Sequence, residues 1–167
     1  MPTSADRPYG KPEYDLGGVT LRPISPSDAD TLAAGLAAIE PWRRLQFAAS
    51  SLAGYLTRED PAANRFAIRE GDALIGVIAV REPWLRGPYL ELLGLLPPAQ
   101  GRGIGKAVMT WFETEAPKSA SNLWVLCSDF NTGALAFYER DGFRRMTAIE
   151  SLVGEGFNEI LLRKRLT

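Results

Sequence analysis

Residues 89–106 read Tyr-Leu-Glu-Leu-Leu-Gly-Leu-Leu-Pro-Pro-Ala-Gln-Gly-Arg-Gly-Ile-Gly-Lys. The first eight residues are almost all apolar, as in a central strand covered on both faces. Pro97-Pro98 stops the strand. Three glycines at 101, 103 and 105 then open a helix that runs on through Val108, Trp111 and Phe112 and ends before Pro117. A glycine-rich turn entering a helix presents unpaired backbone N–H groups at the positive end of the helix dipole, a site for phosphate. Arg102 and Lys106 add positive charge there. Two known phosphate loops fail on spacing. A P-loop needs glycine five residues before Gly105, where Gln100 stands, and Ser or Thr after Lys106, where Ala107 stands. The dinucleotide fingerprint needs its third glycine at 106, one residue beyond Gly105.

Reading outward from this segment gives the order of elements. Upstream, Val19–Pro23 is a short strand candidate, and Ser25-Pro26-Ser27-Asp28 starts a helix with Ala29, Leu32, Ala33, Leu36 and Ala37 on one face. After Pro41 the apolar spacing predicts a second helix from Trp42 to Thr57. Arg65–Arg69 and Ala73–Arg81 flank Glu70-Gly71-Asp72 as a hairpin. Downstream, Asn122–Cys127 is an apolar strand and Thr132–Arg140 a helix with Gly142 at its end. Phe143–Leu152 and Glu159–Leu166 form a final strand pair. Two strand-helix-strand units in the second half imply local parallel pairing, and the hairpins imply antiparallel pairing elsewhere. The expected fold is therefore α+β, with one mixed sheet of six or seven strands and about four helices. Residues 1–17 read as an extended arm with Tyr9 or Tyr14 to dock it, and 18–167 as a single domain.

Composition narrows the chemistry. The chain has 167 residues, 46% hydrophobic and 23% charged, the size and balance of one soluble domain. Nineteen basic against 20 acidic residues leave a net charge of -1, which argues against a general nucleic-acid binder. There is no histidine, so imidazole bases and Ser-His-Asp or Cys-His nucleophile systems are excluded. A single cysteine, Cys127, makes neither an internal disulfide nor a CxxC metal pair. No metal site, targeting segment or spanning helix is expected, and a cytoplasmic location is the default reading.

The residual pattern, Q-x-x-G-x-G after an apolar strand ending in proline, resembles the GNAT superfamily of acyl-CoA-dependent N-acyltransferases. Residues 131–143, Asn-Thr-Gly-Ala-Leu-Ala-Phe-Tyr-Glu-Arg-Asp-Gly-Phe, resemble that family's second block, with an apolar strand between the two. The resemblance implies a three-layer fold with a splayed mixed sheet and acetyl-CoA bound where two central strands part. It implies that the backbones of Leu93 and Leu95 would meet the pantetheine amides. Gln100, Gly101, Arg102, Gly103, Ile104, Gly105 and Lys106 would form the pyrophosphate loop, and Asn131 would contact the pantetheine arm or orient Tyr138. It implies further that Tyr138 would be the general acid for the leaving thiolate.

Without histidine the base must come from another group. Glu91 is the only charged residue in its run, which makes it the candidate general base; the alternative is that it faces solvent or pairs with an arginine such as Arg81. Unassisted loss of the proton to water is a third course. Cys127 reads as packing. The resulting function is an N-acetyltransferase acting on a primary amine, with a non-catalytic acyl-CoA-binding module as the alternative. Partners would be a small amine or a peptide, with no nucleic acid or membrane, and a homodimer is compatible with the reading. Trp42, Arg43, Arg44, Phe47, Trp84 and Arg86 are the candidate acceptor contacts, suggesting an acceptor with an apolar body or a carboxylate; a partner surface or ordinary core packing would use the same residues.

Overall fold

A computed structural model describes residues 4–167; the first three residues of the expected arm lie outside the described residues. Eight strands form one mixed sheet. They are β1 (Tyr14–Asp15), β2 (Thr20–Pro23), β3 (Ala63–Glu70), β4 (Ala73–Arg81), β5 (Tyr89–Leu95), β6 (Asn122–Ser128), β7 (Arg144–Gly154) and β8 (Phe157–Arg165). Their order is β1-β2-β3-β4-β5-β6-β8-β7. The helices are α1 (Pro26–Ala37), α2 (Ala49–Thr57), α3 (Ile104–Thr114) and α4 (Thr132–Arg140).

Each sheet face carries its own core, and β4 shows why. Its side chains alternate across the pleat. Val77 and Ala79 pack with Leu32, Leu36 and Leu52 of α1 and α2. Ile78 and Val80 pack with Val108, Phe112 and Leu135 of α3 and α4. Helix α1 starts as its sequence demands: Ser25 Oγ accepts from Asp28 N–H at 3.1 Å and the Asp28 carboxylate accepts from Ser25 N–H at 3.2 Å, a reciprocal capping box. The Tyr9 side chain is buried and its hydroxyl donates to Phe112 O at 2.7 Å. Tyr14 stacks edge-on against Phe66 and Trp111.

Three features differ from the sequence reading. The sheet has eight strands rather than six or seven, because the two residues of β1 pair with β2, a strand too short to show a period. Helix α2 begins at Ala49, not Trp42. Gln46 takes a left-handed φ of 57°, and Phe47 N–H donates to Trp42 O at 3.0 Å, so residues 42–47 form a turn despite their helical apolar spacing. Finally, among the described residues only β5 and β6 pair in parallel. In the second crossover unit, β8 inserts between β6 and β7 and pairs antiparallel with both.

The sheet opens at its centre. Parallel pairing of β5 with β6 is limited to Tyr89↔Trp124 and Leu90↔Val125. Below that point the loop leading into β5 closes the seam: Ser121 N–H donates to Arg86 O and Trp124 N–H to Pro88 O, each at 3.1 Å, and Trp124 Nε1–H to Leu85 O at 2.7 Å. Above it, Leu92–Leu95 and Leu126–Ser128 diverge. A β-bulge sits at the parting. Val80 pairs with Leu90 and Ala79 with Leu92, so Glu91 has no partner in the β4 ladder. The bulge switches the strand's alternation, which lets Leu90 join the α3–α4 core and Leu92 the α1–α2 core.

The seam makes one position intolerant. A Cβ built on Gly87 would lie 1.8 Å from the backbone oxygen of Asn122, an atom that cannot rotate away. Gly87→Ala is expected to cost about 3 kcal/mol and to lower the melting temperature by ~6–12 °C. A calorimetric scan checks this; an unchanged transition would mean the loop is not held against β6.

Candidate active site

The glycine loop delivers its backbone to the seam. Gly103 is the N-cap of α3 with φ 80° and provides no side-chain cap, so the first N–H groups of α3 depend on other partners. Gln100 ties the loop to β5 by donating Nε2–H to Leu95 O at 2.9 Å. The cations are less available than their sequence positions suggest. Arg102 donates to Glu70 at 2.6 Å and Lys106 to Asp141 at 2.5 Å, and both pairs hold these groups in the charged form. With both cations in ion pairs, the groups the loop leaves open to an anion are the first backbone N–H groups of α3 at the positive end of the helix dipole.

Two cavities meet along the opened seam. One, of about 580 Å³, is lined by the loop (Gln100, Gly101, Gly103–Lys106) together with Leu93, Gly94, Leu95 and Phe137. The other, of about 490 Å³, is lined by Tyr55, Glu91, Cys127, Ser128 and Glu159, with Phe47, Leu152 and Val153 at its mouth. Pro41, Trp42, Leu93, Asn131, Ala134 and Tyr138 line both. Antiparallel geometry explains the β5 wall. Leu96 N–H donates to Ile75 O on the β4 side, so with a period of two Leu93 and Leu95 present their backbone groups to the opened edge.

Asn131 and Tyr138 share α4. Asn131 is the N-cap, its Oδ1 accepting from Ala134 N–H at 3.3 Å, and it fixes the start of the helix that carries Tyr138 two turns on. The Tyr138 ring packs edge-on against Phe137 and Phe143. Burial pushes its phenol above the ordinary tyrosine range, so it keeps its proton through neutral pH. Cys127, also on the wall, is pushed up to about 12 by burial and stays a thiol.

The Glu91 carboxylate is occupied on both oxygens. Tyr55 donates to Oε2 at 2.6 Å and Arg81 Nε–H to Oε1 at 2.9 Å, while Arg81 also bridges to Asp60 at 2.8 Å. This is the arginine pairing that the sequence left as the alternative to base duty. Tyr55 and Asp60, which complete the network, carry no sequence signal because they meet Glu91 only through the fold.

A second carboxylate on the wall escaped sequence reasoning. Glu159 is 7% exposed, and Ser128 Oγ–H donates to its Oε1 at 2.5 Å. The two are cross-strand neighbours, Ser128 on β6 and Glu159 on β8. Burial raises the Glu159 pKa, the Ser128 bond lowers it and nearby Asp129 raises it, for a net upward shift. Of the acceptor contacts expected from sequence, Trp42 and Phe47 do line cavity walls. Arg43 instead pairs with Glu40, Arg44 covers the Phe130 ring, and Trp84 packs on Tyr89 and Trp124.

The acetyltransferase (GNAT) family profile matches residues 29–143, more than half of the chain. Solved structures agree in fold. An acetyltransferase from Thermus thermophilus superposes with a TM-score of 0.71 at 20% identity, covering 92% of this chain and 100% of that one. NAA60 of Arabidopsis thaliana, in complex with a bisubstrate analogue, gives 0.68 at 18% identity over 88% and 97% of the two chains. RimL, a ribosomal L7/L12 alpha-N-protein acetyltransferase in complex with coenzyme A, gives 0.68 at 16% identity over 90% and 95%. The chain belongs to the GNAT family of acetyltransferases, enzymes that use acetyl-CoA. The site fits that donor: the uncapped start of α3 faces the cavity that also contains the exposed edge of β5.

Proposed function

We propose that this acetyltransferase acylates a primary amine by direct transfer, with donor and acceptor bound together. One observation carries the reading: the loop-side cavity and the second cavity share a wall, and Tyr138 belongs to both. The loop-side cavity is the donor side. Backbone N–H groups of residues 101–106 would hold the pyrophosphate, Leu93 and Leu95 would meet the pantetheine amides, and Asn131 would hold α4 at the right height. Acetyl-CoA supplies a thioester whose acyl group an amine can take. Tyr138 is the proton donor at the thiolate end, its phenol kept protonated by burial. Glu91 is the candidate base on sequence alone; with Arg81 and Tyr55 on both of its oxygens, we assign it to bracing the bulge where the strands part.

Direct transfer also fits the nucleophiles present. The single thiol is buried, and its raised pKa leaves little thiolate for an acyl-enzyme route. Initial rates measured with acetyl-CoA and an amine varied together test this. Intersecting reciprocal plots are expected; parallel plots would indicate a covalent intermediate and overturn the shared-wall reading.

A further inference from the structure

We infer that Glu159 receives the proton of the acceptor ammonium, an inference that rests on the amine-acetylation reading above. The observation is one of missing partners. Three carboxylates among the described residues are buried: Asp28, Asp141 and Glu159. Asp28 pairs with Arg69, and Asp141 with Lys106 and Lys164. Glu159 forms no ion pair among the described residues. Burying a carboxylate without a cation is costly, and such a group in a cavity wall is a functional candidate.

Its surroundings suit the task. Ser128 holds Oε1 at 2.5 Å, which fixes the carboxylate plane, while Oε2 has no donor among the described residues. Cys127 of β6, Tyr89 of β5 and Tyr138 of α4 line the same cavity, and all stay neutral near pH 7 because burial raises each pKa. Ile149 is the neighbour on β7. Asp129 adds the nearby like charge. A cation brought into this cavity therefore finds Glu159 as its unpaired anion, Glu91 being taken by Arg81. The mouth formed by Phe47, Leu152 and Val153 is apolar and between 37% and 48% exposed, so it offers the charged end of an amine no partner in competition with Glu159. The step is a proton transfer with no redox change. The ammonium nitrogen gives one proton to Oε2, leaving a neutral amine and a carboxylic acid, and the acid later returns the proton to solvent.

The test follows thiol release from acetyl-CoA against pH, using a mixture of phenethylamine, spermidine, lysine methyl ester and short peptides with free N-termini. In the parent protein, activity should fall as pH drops through a limb lying above the ordinary carboxylate range, because the base form of Glu159 is lost there. Glu159→Gln should lower kcat/KM by ~10²–10⁴-fold, abolish that limb and leave the acetyl-CoA thermal shift intact. Glu159→Asp, which keeps a carboxylate, should restore part of the rate and the limb. Ser128→Ala removes a bond that lowers the pKa, so its limb should move to higher pH, which a purely structural pair would not produce. A Glu159→Gln enzyme that keeps both rate and limb overturns this inference alone. A parent protein that binds acetyl-CoA and acetylates none of the amines counts against the amine-acetylation reading itself.

Discussion

Tyr138→Phe is expected to reduce turnover by ~10²–10⁴-fold while leaving acetyl-CoA affinity nearly unchanged. The substitution keeps the ring, and with it the edge contacts to Phe137 and Phe143 at centroid distances of 5.2 and 6.0 Å. Only the hydroxyl is lost, from a residue that lines both cavities. The sign of the pH dependence follows from burial. A phenol with a raised pKa is fully protonated at neutral pH, so the acid form is lost only as pH rises through a value above the ordinary ~10. Tyr138 should thus contribute no basic limb in the neutral range. Kinetics and a binding titration on the same preparation separate the possibilities. Near-normal turnover would make Tyr138 a packing residue and leave the thiolate to be protonated by water.

Gly103→Asp is expected to abolish acetyl-CoA binding in a folded protein. With ligand about a hundredfold above its Kd, binding stabilises the parent by ~2.7 kcal/mol, a melting shift of roughly 5–11 °C. The variant should show none. Nothing lies within 4 Å of a Cβ at this position, so bulk alone does not disrupt the loop. The φ of 80° is left-handed, a region that Asp and Asn enter more readily than other side chains. The decisive change is a negative charge beside the N–H groups that would hold the pyrophosphate. Gly103→Asn provides the control, since it adds the same shape without the charge and should retain most of the shift. Equal loss in both variants would attribute the effect to backbone strain instead.

What could be read from the sequence follows how local each signal is. The start of α3 was legible because strand, proline stop, glycines and helix face lie within about twenty consecutive residues. The α4 block was legible for the same reason: Asn131 caps the helix that carries Tyr138. The Glu91 bulge was not, since an all-apolar run does not show where its alternation reverses, and the reversal is defined only by pairing with Val80 and Ala79. Nor was Glu159. It lies among ordinary alternating residues of β8, and its meaning comes from a register that sets it against Ser128, 31 positions earlier. The turn at 42–47 misled for the opposite reason. Its apolar spacing is helical, but the left-handed Gln46 interrupts the helix and puts Trp42 in the wall shared by the cavities. Element order and the glycine-rich start of α3 were thus accessible from sequence, whereas the surroundings of Glu91 and Glu159 depend on contacts made across the sheet.

The most direct measurement is acceptor-dependent release of free thiol from acetyl-CoA, followed together with mass analysis of the amines present. An enzyme that brings donor and acceptor together at Tyr138 should release one thiol for each amine acetylated, at a rate that rises with amine concentration and saturates. Saturable acetyl-CoA binding with no amine-dependent thiol release across primary amines and peptide N-termini would contradict this and mark the protein as an acyl-CoA-binding module on an acetyltransferase scaffold.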